Sequence, residues 1–122
     1  MARILVIDDV PGVRRSIAAL LSRAGHEVCE APDGRSGVDM ARQARPDVAL
    51  VDMLMPEQDG IETLEALRAE KLAGACIAMS GGGSLVGAED ALGAAAPLAD
   101  ATARKPFESA ELITLVDRFC SN

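Results

Sequence analysis

The sequence predicts an α/β fold in which a parallel β-sheet is covered by helices on both faces. Two observations lead to this prediction. Short apolar runs typical of buried strands alternate with longer segments of helical periodicity, and five such strand–helix pairs follow one another without internal repeats. Strands that alternate with helices in this way form parallel sheets through right-handed crossovers.

The composition sets the size of the protein and excludes some partners. The chain has 122 residues, about the size of one domain, and 49% of them are hydrophobic. Only two residues are aromatic, both phenylalanine, so the core must be aliphatic and rich in alanine. The formal charge of −7 argues against nucleic acid or an anionic membrane as the main partner. We expect residues 1–122 to form a single domain.

The cysteines and the N-terminus indicate the compartment. Cys29, Cys76 and Cys120 are scattered and form neither a C-x-x-C pair nor a His/Cys cluster suited to zinc. They are therefore interpreted as reduced core thiols. No signal peptide is recognised at the N-terminus, and no apolar stretch approaches transmembrane length. We expect a cytoplasmic protein.

The strands are predicted from the apolar runs. Segments 4–7 and 48–51 are continuously apolar, as expected for strands buried on both faces. Segment 26–31 alternates in polarity, which is typical of an outer strand. The fourth strand is predicted over 75–79, and a fifth within 99–103.

The helices are predicted from apolar residues at helical spacing. The first begins after Pro11 and ends before Gly25, a residue type typical of the position after a helix. A short second helix ends at Pro46, and Gly74 closes the third. The apolar faces are Val13, Ile17, Leu20, Leu21 and Ala24; Val38, Ala41 and Ala44; Ile61, Leu64, Leu67 and Leu72; and, in the last helix, Leu112, Leu115, Val116 and Phe119.

A fourth helix is predicted within 81–98, which makes five in all. Three glycines open this stretch, and Gly87 and Gly93 lie inside the candidate helix. Each interior glycine costs about 1 kcal/mol relative to alanine. This helix should therefore be weak.

Polar side chains stand at the ends of four predicted strands. Asp8 and Asp9 follow the first strand, Asp52 the third, Ser80 the fourth and Lys105 the fifth. Each alone has an ordinary explanation as a helix cap, a turn former or a solvated charge. Ligand sites in parallel α/β sheets lie at the carboxyl ends of the strands, so the agreement of four strand ends favours a functional site.

The residue types at this edge predict phosphoryl chemistry. Three carboxylates held close together repel unless a cation compensates, and Mg²⁺ suits one or two carboxylates with waters and phosphate oxygens. Lys105 has no acceptor and can only serve an anion, while Ser80 offers a hydroxyl donor. Such a set binds a phosphoryl group. A carboxylate can itself attack phosphorus to give an aspartyl phosphate.

Four other sites fit the same edge less well. Asp8 and Asp9 would repel the phosphate of a flavin nucleotide. The glycines at 81–83 lack the lysine of a P-loop. A haloacid-dehalogenase-type phosphatase needs a second aspartate where Leu54 stands. A serine or cysteine hydrolase lacks its base, because the single histidine, His26, is expected at the surface at a strand start.

Four segments together resemble the receiver domain of two-component response regulators over essentially the whole chain. They are ILVIDDVPGVR, PDVALVDMLMPEQDG, IAMSGGG and RKPF, in the order and at the spacing of that family. The resemblance implies a flavodoxin-like, doubly wound sheet of five parallel strands in the order 2-1-3-4-5, with five helices, as in the chemotaxis-regulator superfamily.

The resemblance also implies roles for the acids. Asp52 would accept a phosphoryl group from a histidine kinase or a histidine phosphotransfer protein. Mg²⁺ would be held by Asp8, Asp9, Asp52 and the backbone carbonyl of Leu54.

Other roles implied by the resemblance concern the response to phosphorylation. Lys105 would pair with the phosphoryl oxygens, and Ser80 would hydrogen-bond the group and draw the following loop inward. The peptide before Pro106 matches a frequently cis bond of the family. The family commonly has Tyr or Phe at the switch position occupied here by Thr102. We therefore hypothesise that ordering of the glycine-rich loop and the weak fourth helix carries the signal.

The expected function is that of a phosphorylation-activated receiver that signals through its fourth helix, fifth strand and last helix. It would accept and self-hydrolyse a phosphoryl group without being an enzyme on an external substrate. The alternative is a pseudo-receiver, a protein-interaction module that does not switch. The expected partners are the phosphodonor and a downstream protein target or effector domain, with no direct binding to nucleic acid or membrane; a homodimer formed on phosphorylation is left open.

Overall fold

The fold was analysed in a computed structural model that describes residues 2–53, 60–80, 98–105 and 108–120. In these residues, five strands and four helices follow one another along the chain. They are β1 (Arg3–Ile7), α1 (Pro11–Arg23), β2 (Glu27–Ala31), α2 (Gly34–Ala44), β3 (Val48–Asp52), α3 (Gly60–Ala69), β4 (Ala75–Ser80), β5 (Ala101–Arg104) and α4 (Ser109–Asp117). The predicted helix within 81–98 falls almost wholly outside the described residues.

The five strands form one parallel sheet in the order β2-β1-β3-β4-β5, which confirms the predicted fold. Strands β3 and β4 are buried along their whole length, whereas the edge strand β5 alternates between half-buried and exposed residues. Three strands end one residue later than predicted, among them β5, which ends at Arg104. Asp52 is the last residue of β3 and Ser80 the last of β4, so both side chains are mounted on the sheet itself.

The core consists of two aliphatic layers, one on each face of the sheet. Alternate residues of a strand point to opposite faces, so Leu5 packs toward α2 and α3 while Ile4 packs toward α1 and α4. Among the described residues, the largest fully buried side chains are aliphatic, apart from the thioether of Met79, and none is aromatic, as the composition predicts. Burial of such side chains stabilises the fold by roughly 1.5–3 kcal/mol each.

Local signals in the sequence explain where the helices begin and end. Pro11 is the first residue of α1, where its missing N–H is not needed. Gly25 follows α1 with a φ of +100°, and its N–H bonds the carbonyl of Ser22 at 3.0 Å. None of the described helices combines the length and apolar character needed to cross a bilayer.

Asp33 caps the N-terminus of α2. Its carboxylate accepts hydrogen bonds from the backbone N–H and the hydroxyl of Ser36, both at 2.8 Å. These bonds lower the pKa of the Asp33 carboxyl. A lowered pKa contributes stability above the ordinary value of about 4, and that stability is lost as the pH falls through the folded-state value.

We predict that Asp33→Ala lowers the free energy of unfolding by about 1 kcal/mol at pH 7. The deficit relative to wild type should shrink as the pH is lowered toward 3, because the wild-type cap weakens when protonated. Urea denaturation at pH 7 and near pH 3 measures the free energy of unfolding of the wild type and the variant. Asp33→Asn, which keeps an acceptor oxygen, is the control and should stay close to wild type at pH 7. A deficit that does not change with pH would contradict the cap assignment.

Gly60, the first residue of α3, packs directly against the backbone that carries Asp52. A Cβ atom at Gly60 would lie 2.6 Å from the Cα of Met53 and 2.7 Å from the carbonyl oxygen of Asp52. Neither atom can move without shifting the end of β3. Glycine is therefore required at this contact for steric reasons, and the close approach fixes α3 beside the strand end.

Gly60→Ala should lower the free energy of unfolding by about 2 kcal/mol, since overpacking a rigid contact typically costs 1–3 kcal/mol. The matched control is Gly12→Ala in α1, where a Cβ atom meets nothing within 4 Å. That variant should be neutral or gain up to about 1 kcal/mol from helix propensity. Equal effects of the two substitutions in urea denaturation would refute the steric account.

Candidate functional site

Three carboxylates meet at the carboxyl edge of the sheet. Asp8 directly follows β1, and Asp52 ends the neighbouring strand β3. Carboxylate oxygens of Asp8, Asp9 and Asp52 all lie within 4.8 Å of one another. Asp8 has no exposed surface and Asp52 is 4% exposed, whereas Asp9 is partly exposed. The strand ends therefore converge as the sequence predicts.

Lys105 brings a positive charge to these acids from the end of β5. Its backbone N–H bonds the carbonyl of Ser80 at 2.8 Å, which continues the β4–β5 pairing by one residue. Its side-chain Nζ lies 2.5 Å from Oδ2 of Asp8 and 3.9 Å from Oδ1 of Asp52. The ammonium is thus within reach of two carboxylates, one held tightly and one more distant.

Ser80 contributes a buried hydroxyl at the same edge. The residue has no exposed surface, and its Oγ has no hydrogen-bond partner among the described residues. Buried polar side-chain atoms are nearly always hydrogen-bonded, so such a group calls for a functional explanation. A ligand with acceptor oxygens bound beside Lys105 and Asp52 would supply one.

The donor set suits a hard divalent cation. Three clustered carboxylates offer oxygen ligands, and Mg²⁺ is typically bound through one or two carboxylates with waters and phosphate oxygens. The fit to Mg²⁺ therefore rests on the chemistry and proximity of Asp8, Asp9 and Asp52. Leu54, whose carbonyl is expected to complete the ligand set, lies outside the described residues, as does Pro106.

Thr102 lies on β5, an edge strand of the sheet. It is an exposed residue of β5, paired in register with Ala78, and it lines a groove along β5 and α4 together with Leu115 and Arg118. The structure thus places a small, exposed side chain at the position where an aromatic switch is common. The glycine-rich segment invoked for signalling, at 81–97, is not among the described residues.

Sequence reasoning assigned no role to Arg14. Its guanidinium donates from Nη1 to the backbone carbonyl of Asp8 at 3.0 Å, and from Nε to Glu30 at 3.2 Å. The one available signal was that Arg14 ends the segment ILVIDDVPGVR, a single helical turn after the acids. Sequence spacing alone does not show that the side chain turns back toward Asp8.

His26 is more buried than predicted, because its imidazole is enclosed at the opposite edge of the sheet with only 7% of the side chain exposed. Asp117 and Cys120 lie close enough to form a three-ligand set with it. However, Nδ1 of His26 accepts the N–H of Ala2 at 3.1 Å, and Nε2 lies 3.3 Å from Asp117. Metal-bound histidines donate from the second nitrogen instead, so this cluster is a structural hydrogen-bond network.

The three cysteines are free thiols, as predicted, but of the three only Cys76 is buried in the core, while Cys29 and Cys120 are half-buried. Burial, with the nearby charge of Asp100, raises the pKa of Cys76 to about 11. Burial also raises the pKa of Cys29 and of Cys120. Thiols with raised pKa values are poor nucleophiles at neutral pH, which removes them as candidates for the site chemistry.

Comparison with known proteins places this arrangement in a family. The family model described as the response regulator receiver domain matches residues 4–117. The chain belongs to the response regulator receiver domain family. It is thus a receiver domain of the kind found in response regulators of two-component systems.

Solved structures of receivers superpose over nearly the whole chain. The chemotaxis protein CheY4 of Vibrio cholerae is 28% identical, with a TM-score of 0.83 over 98% of this chain and 99% of that one. A response regulator receiver domain protein from Clostridium thermocellum is 30% identical, with a TM-score of 0.81 over 97% of this chain and 93% of that one. Both support the doubly wound fold.

Curated relatives share the receiver over part of their length. Protein PilH of Pseudomonas aeruginosa is 43% identical over 67 residues, which are 55% of this chain and 55% of PilH. The regulatory protein AtoC of Escherichia coli is 34% identical over 116 residues, which are 95% of this chain and 24% of AtoC. The matched region thus spans from about a quarter to just over half of these relatives.

The acidic cluster leads to a prediction about stability. The three carboxylates lie within 4.8 Å of one another, and like charges held so close together destabilise a fold. In the presence of EDTA, Asp52→Asn should therefore raise the free energy of unfolding by about 1 kcal/mol, measured by urea denaturation. Added Mg²⁺ should stabilise the wild type more than the variant, since the variant lacks one anionic ligand.

The matched control for this measurement is Asp39→Asn. Asp39 is an exposed residue of α2 that pairs with Arg42 at 2.8 Å, so its neutralisation should bring no gain in stability. A loss of stability in Asp52→Asn under EDTA, or an equal response of both variants to Mg²⁺, would show that repulsion at the cluster is not significant.

Proposed function

We propose that this receiver accepts a phosphoryl group on Asp52 from the phosphohistidine of a histidine kinase or a histidine phosphotransfer protein. The observation that carries the proposal is the convergence of Asp52 with Asp8, Asp9 and Lys105 at one edge of the sheet. Asp52 is the last residue of a fully buried strand, which holds its backbone in place.

The reaction exchanges one bond to phosphorus for another. A carboxylate oxygen of Asp52 attacks the phosphorus atom, and the bond from phosphorus to the donor imidazole nitrogen breaks. The electron pair of that bond stays on the nitrogen, so the donor leaves as histidine and Asp52 becomes an acyl phosphate. Attack by water later releases inorganic phosphate and restores the carboxylate.

Lys105 and Ser80 would act on the transferred group. The Nζ of Lys105, now 3.9 Å from Asp52 and hydrogen-bonded to Asp8, would pair with a phosphoryl oxygen. The Oγ of Ser80 has no partner among the described residues and could donate to another phosphoryl oxygen. Both interactions exist only after transfer, and both would favour the phosphorylated state.

Asp8, Asp9 and Asp52 would hold Mg²⁺, together with the carbonyl of Leu54 that the family resemblance implies. When bound, Mg²⁺ neutralises charge that develops on the phosphoryl oxygens. The three acids bring the chain's own ligands together, and Asp8 is oriented by bonds to Val10 and Lys105.

The proposed receiver turns over only its own phosphoryl group and has no external substrate. Self-hydrolysis would be slow because Leu54 stands where a haloacid-dehalogenase-type phosphatase has its second aspartate, and leucine cannot act as a general acid. We propose that residues 1–122 form one such domain in the cytoplasm, where the three free thiols stay reduced.

The proposed output surface includes β5 and α4, together with the predicted helix within 81–98. On this surface, Thr102 lies in the groove along β5 and α4, beside Arg104 and Arg118. A downstream protein target or an effector domain would read the state of Asp52 there.

The proposal is tested by incubation with acetyl phosphate and Mg²⁺, followed by intact mass spectrometry. The wild type should gain one phosphoryl mass, and the gain should fall sharply with EDTA in place of Mg²⁺. Asp52→Asn should gain none, because its amide oxygen is a poor nucleophile. Asp39→Asn is the matched control and should be phosphorylated like the wild type.

Two outcomes would overturn the acceptor assignment. A phosphoryl mass that persists in Asp52→Asn would place the acceptor elsewhere. Failure of the wild type to gain any phosphoryl mass would favour the pseudo-receiver, an interaction module that does not switch.

A further inference from the structure

Arg14 is a partly buried cation that contacts the backbone of the site. Its side chain is only 12% exposed, although it lies on the first turn of a surface helix. Nε lies 3.2 Å from a carboxylate oxygen of Glu30 on β2, and Nη1 donates to the Asp8 carbonyl at 3.0 Å. The guanidinium therefore joins α1 and β2 to the peptide that links Asp8 to Asp9.

Asp8 and Asp9 are held in different ways. Asp8 is fixed at every polar group: its N–H bonds Ala31 at 3.1 Å, its carbonyl accepts from Arg14, and its carboxylate oxygens bond Val10 and Lys105. No hydrogen bond or ion pair joins the Asp9 carboxylate to another described residue. The direction of the Asp9 side chain therefore depends on the peptide plane between the two acids.

We infer that Arg14 is a positioning residue for the metal ligands: by holding the Asp8 carbonyl, it orients the peptide that aims Asp9 at the cation. This inference rests on the proposed function, because it takes Asp8 and Asp9 as ligands of Mg²⁺. Mg²⁺ demands near-ideal octahedral geometry and tolerates little displacement of its ligands. A residue that fixes one ligand's backbone therefore affects affinity without contacting the metal.

A role through charge and a role through positioning predict opposite changes in Mg²⁺ affinity when Arg14 is replaced by a neutral residue. A cation near the site repels Mg²⁺, so loss of its charge alone would tighten metal binding. Loss of the hydrogen bond to Asp8 would loosen the ligand geometry and weaken binding. Residues that hydrogen-bond the ligands of a metal typically contribute 10–100-fold to metal affinity. An effect of this size should exceed the effect of the lost charge.

The experiment measures the Mg²⁺ dissociation constant of the whole chain by isothermal titration calorimetry. Arg14→Gln should raise the constant about tenfold. Arg15→Gln is the matched control, since Arg15 is the next residue of the same helix, carries the same charge and is exposed. It should change the constant less than twofold, because an exposed charge is screened.

A second variant distinguishes a positioning role of Arg14 from an effect of its charge. A second measurement shows whether the backbone near Asp8 has loosened. Arg14→Lys keeps the charge but lacks the planar fork that reaches both Asp8 and Glu30, so it should also weaken binding. In EDTA, amide hydrogen exchange at Val10, whose N–H bonds the Asp8 carboxylate at 3.0 Å, should accelerate in both Arg14 variants and remain unchanged in Arg15→Gln.

The outcomes distinguish this inference from the proposed function. If the wild type binds Mg²⁺ and both Arg14 variants bind it equally well or more tightly, the positioning role is refuted while the metal site stands. If the wild type binds no Mg²⁺, the metal assignment fails, and the positioning role fails with it. Weaker binding by both Arg14 variants, with faster exchange at Val10, supports the inference.

Discussion

The carboxylate of Asp8 is the constraint around which the site is arranged. It has no exposed surface, and two further carboxylates lie within 4.8 Å. A buried carboxylate is tolerable only when hydrogen-bond donors and a cation meet it. These come from separate parts of the chain: the N–H of Val10 in the loop after β1, and Lys105, the residue that follows β5. The site can therefore exist only when the parallel sheet is complete.

This arrangement sets function against stability. The ion pair between Asp8 and Lys105 is buried, and buried pairs add little net stability because both groups must leave water. The three acids repel one another as well. Two aliphatic layers outweigh these costs, one on each face of the sheet. A carboxylate cluster near a strand end is thus affordable because β3 and β4 are buried throughout.

The parts of the site that could be predicted are those fixed by the register of the sheet. Strands of a parallel sheet end at the same edge, so residues directly after apolar runs were expected to meet, and Asp8, Asp52 and Lys105 do meet. The exact strand ends were not predictable, because pairing with a neighbour extends β3 and β4 by one residue to Asp52 and Ser80.

Contacts that depend on tertiary packing could not be predicted from the spacing of residues in the sequence. The sequence indicates only that Arg14 is a charged residue on an amphipathic helix, yet its side chain donates a hydrogen bond to the Asp8 carbonyl. His26 reads as a surface residue because it precedes an outer strand, but the end of α4 covers it through Asp117. Both depend on which element packs over which, and residue spacing along the chain carries no information on that.

Gly60 and Arg14 both contact the main chain that carries the clustered carboxylates. Gly60 lets α3 approach the carbonyl of Asp52, so the strand end that carries Asp52 is held by close packing. Arg14 donates a hydrogen bond to the carbonyl of Asp8, and this bond holds the peptide that leads to Asp9. Aspartate side chains have only two rotatable bonds, and their carboxylates follow the backbone closely. Residues that contact the main chain can therefore set the direction of these carboxylates without contacting the carboxylates themselves.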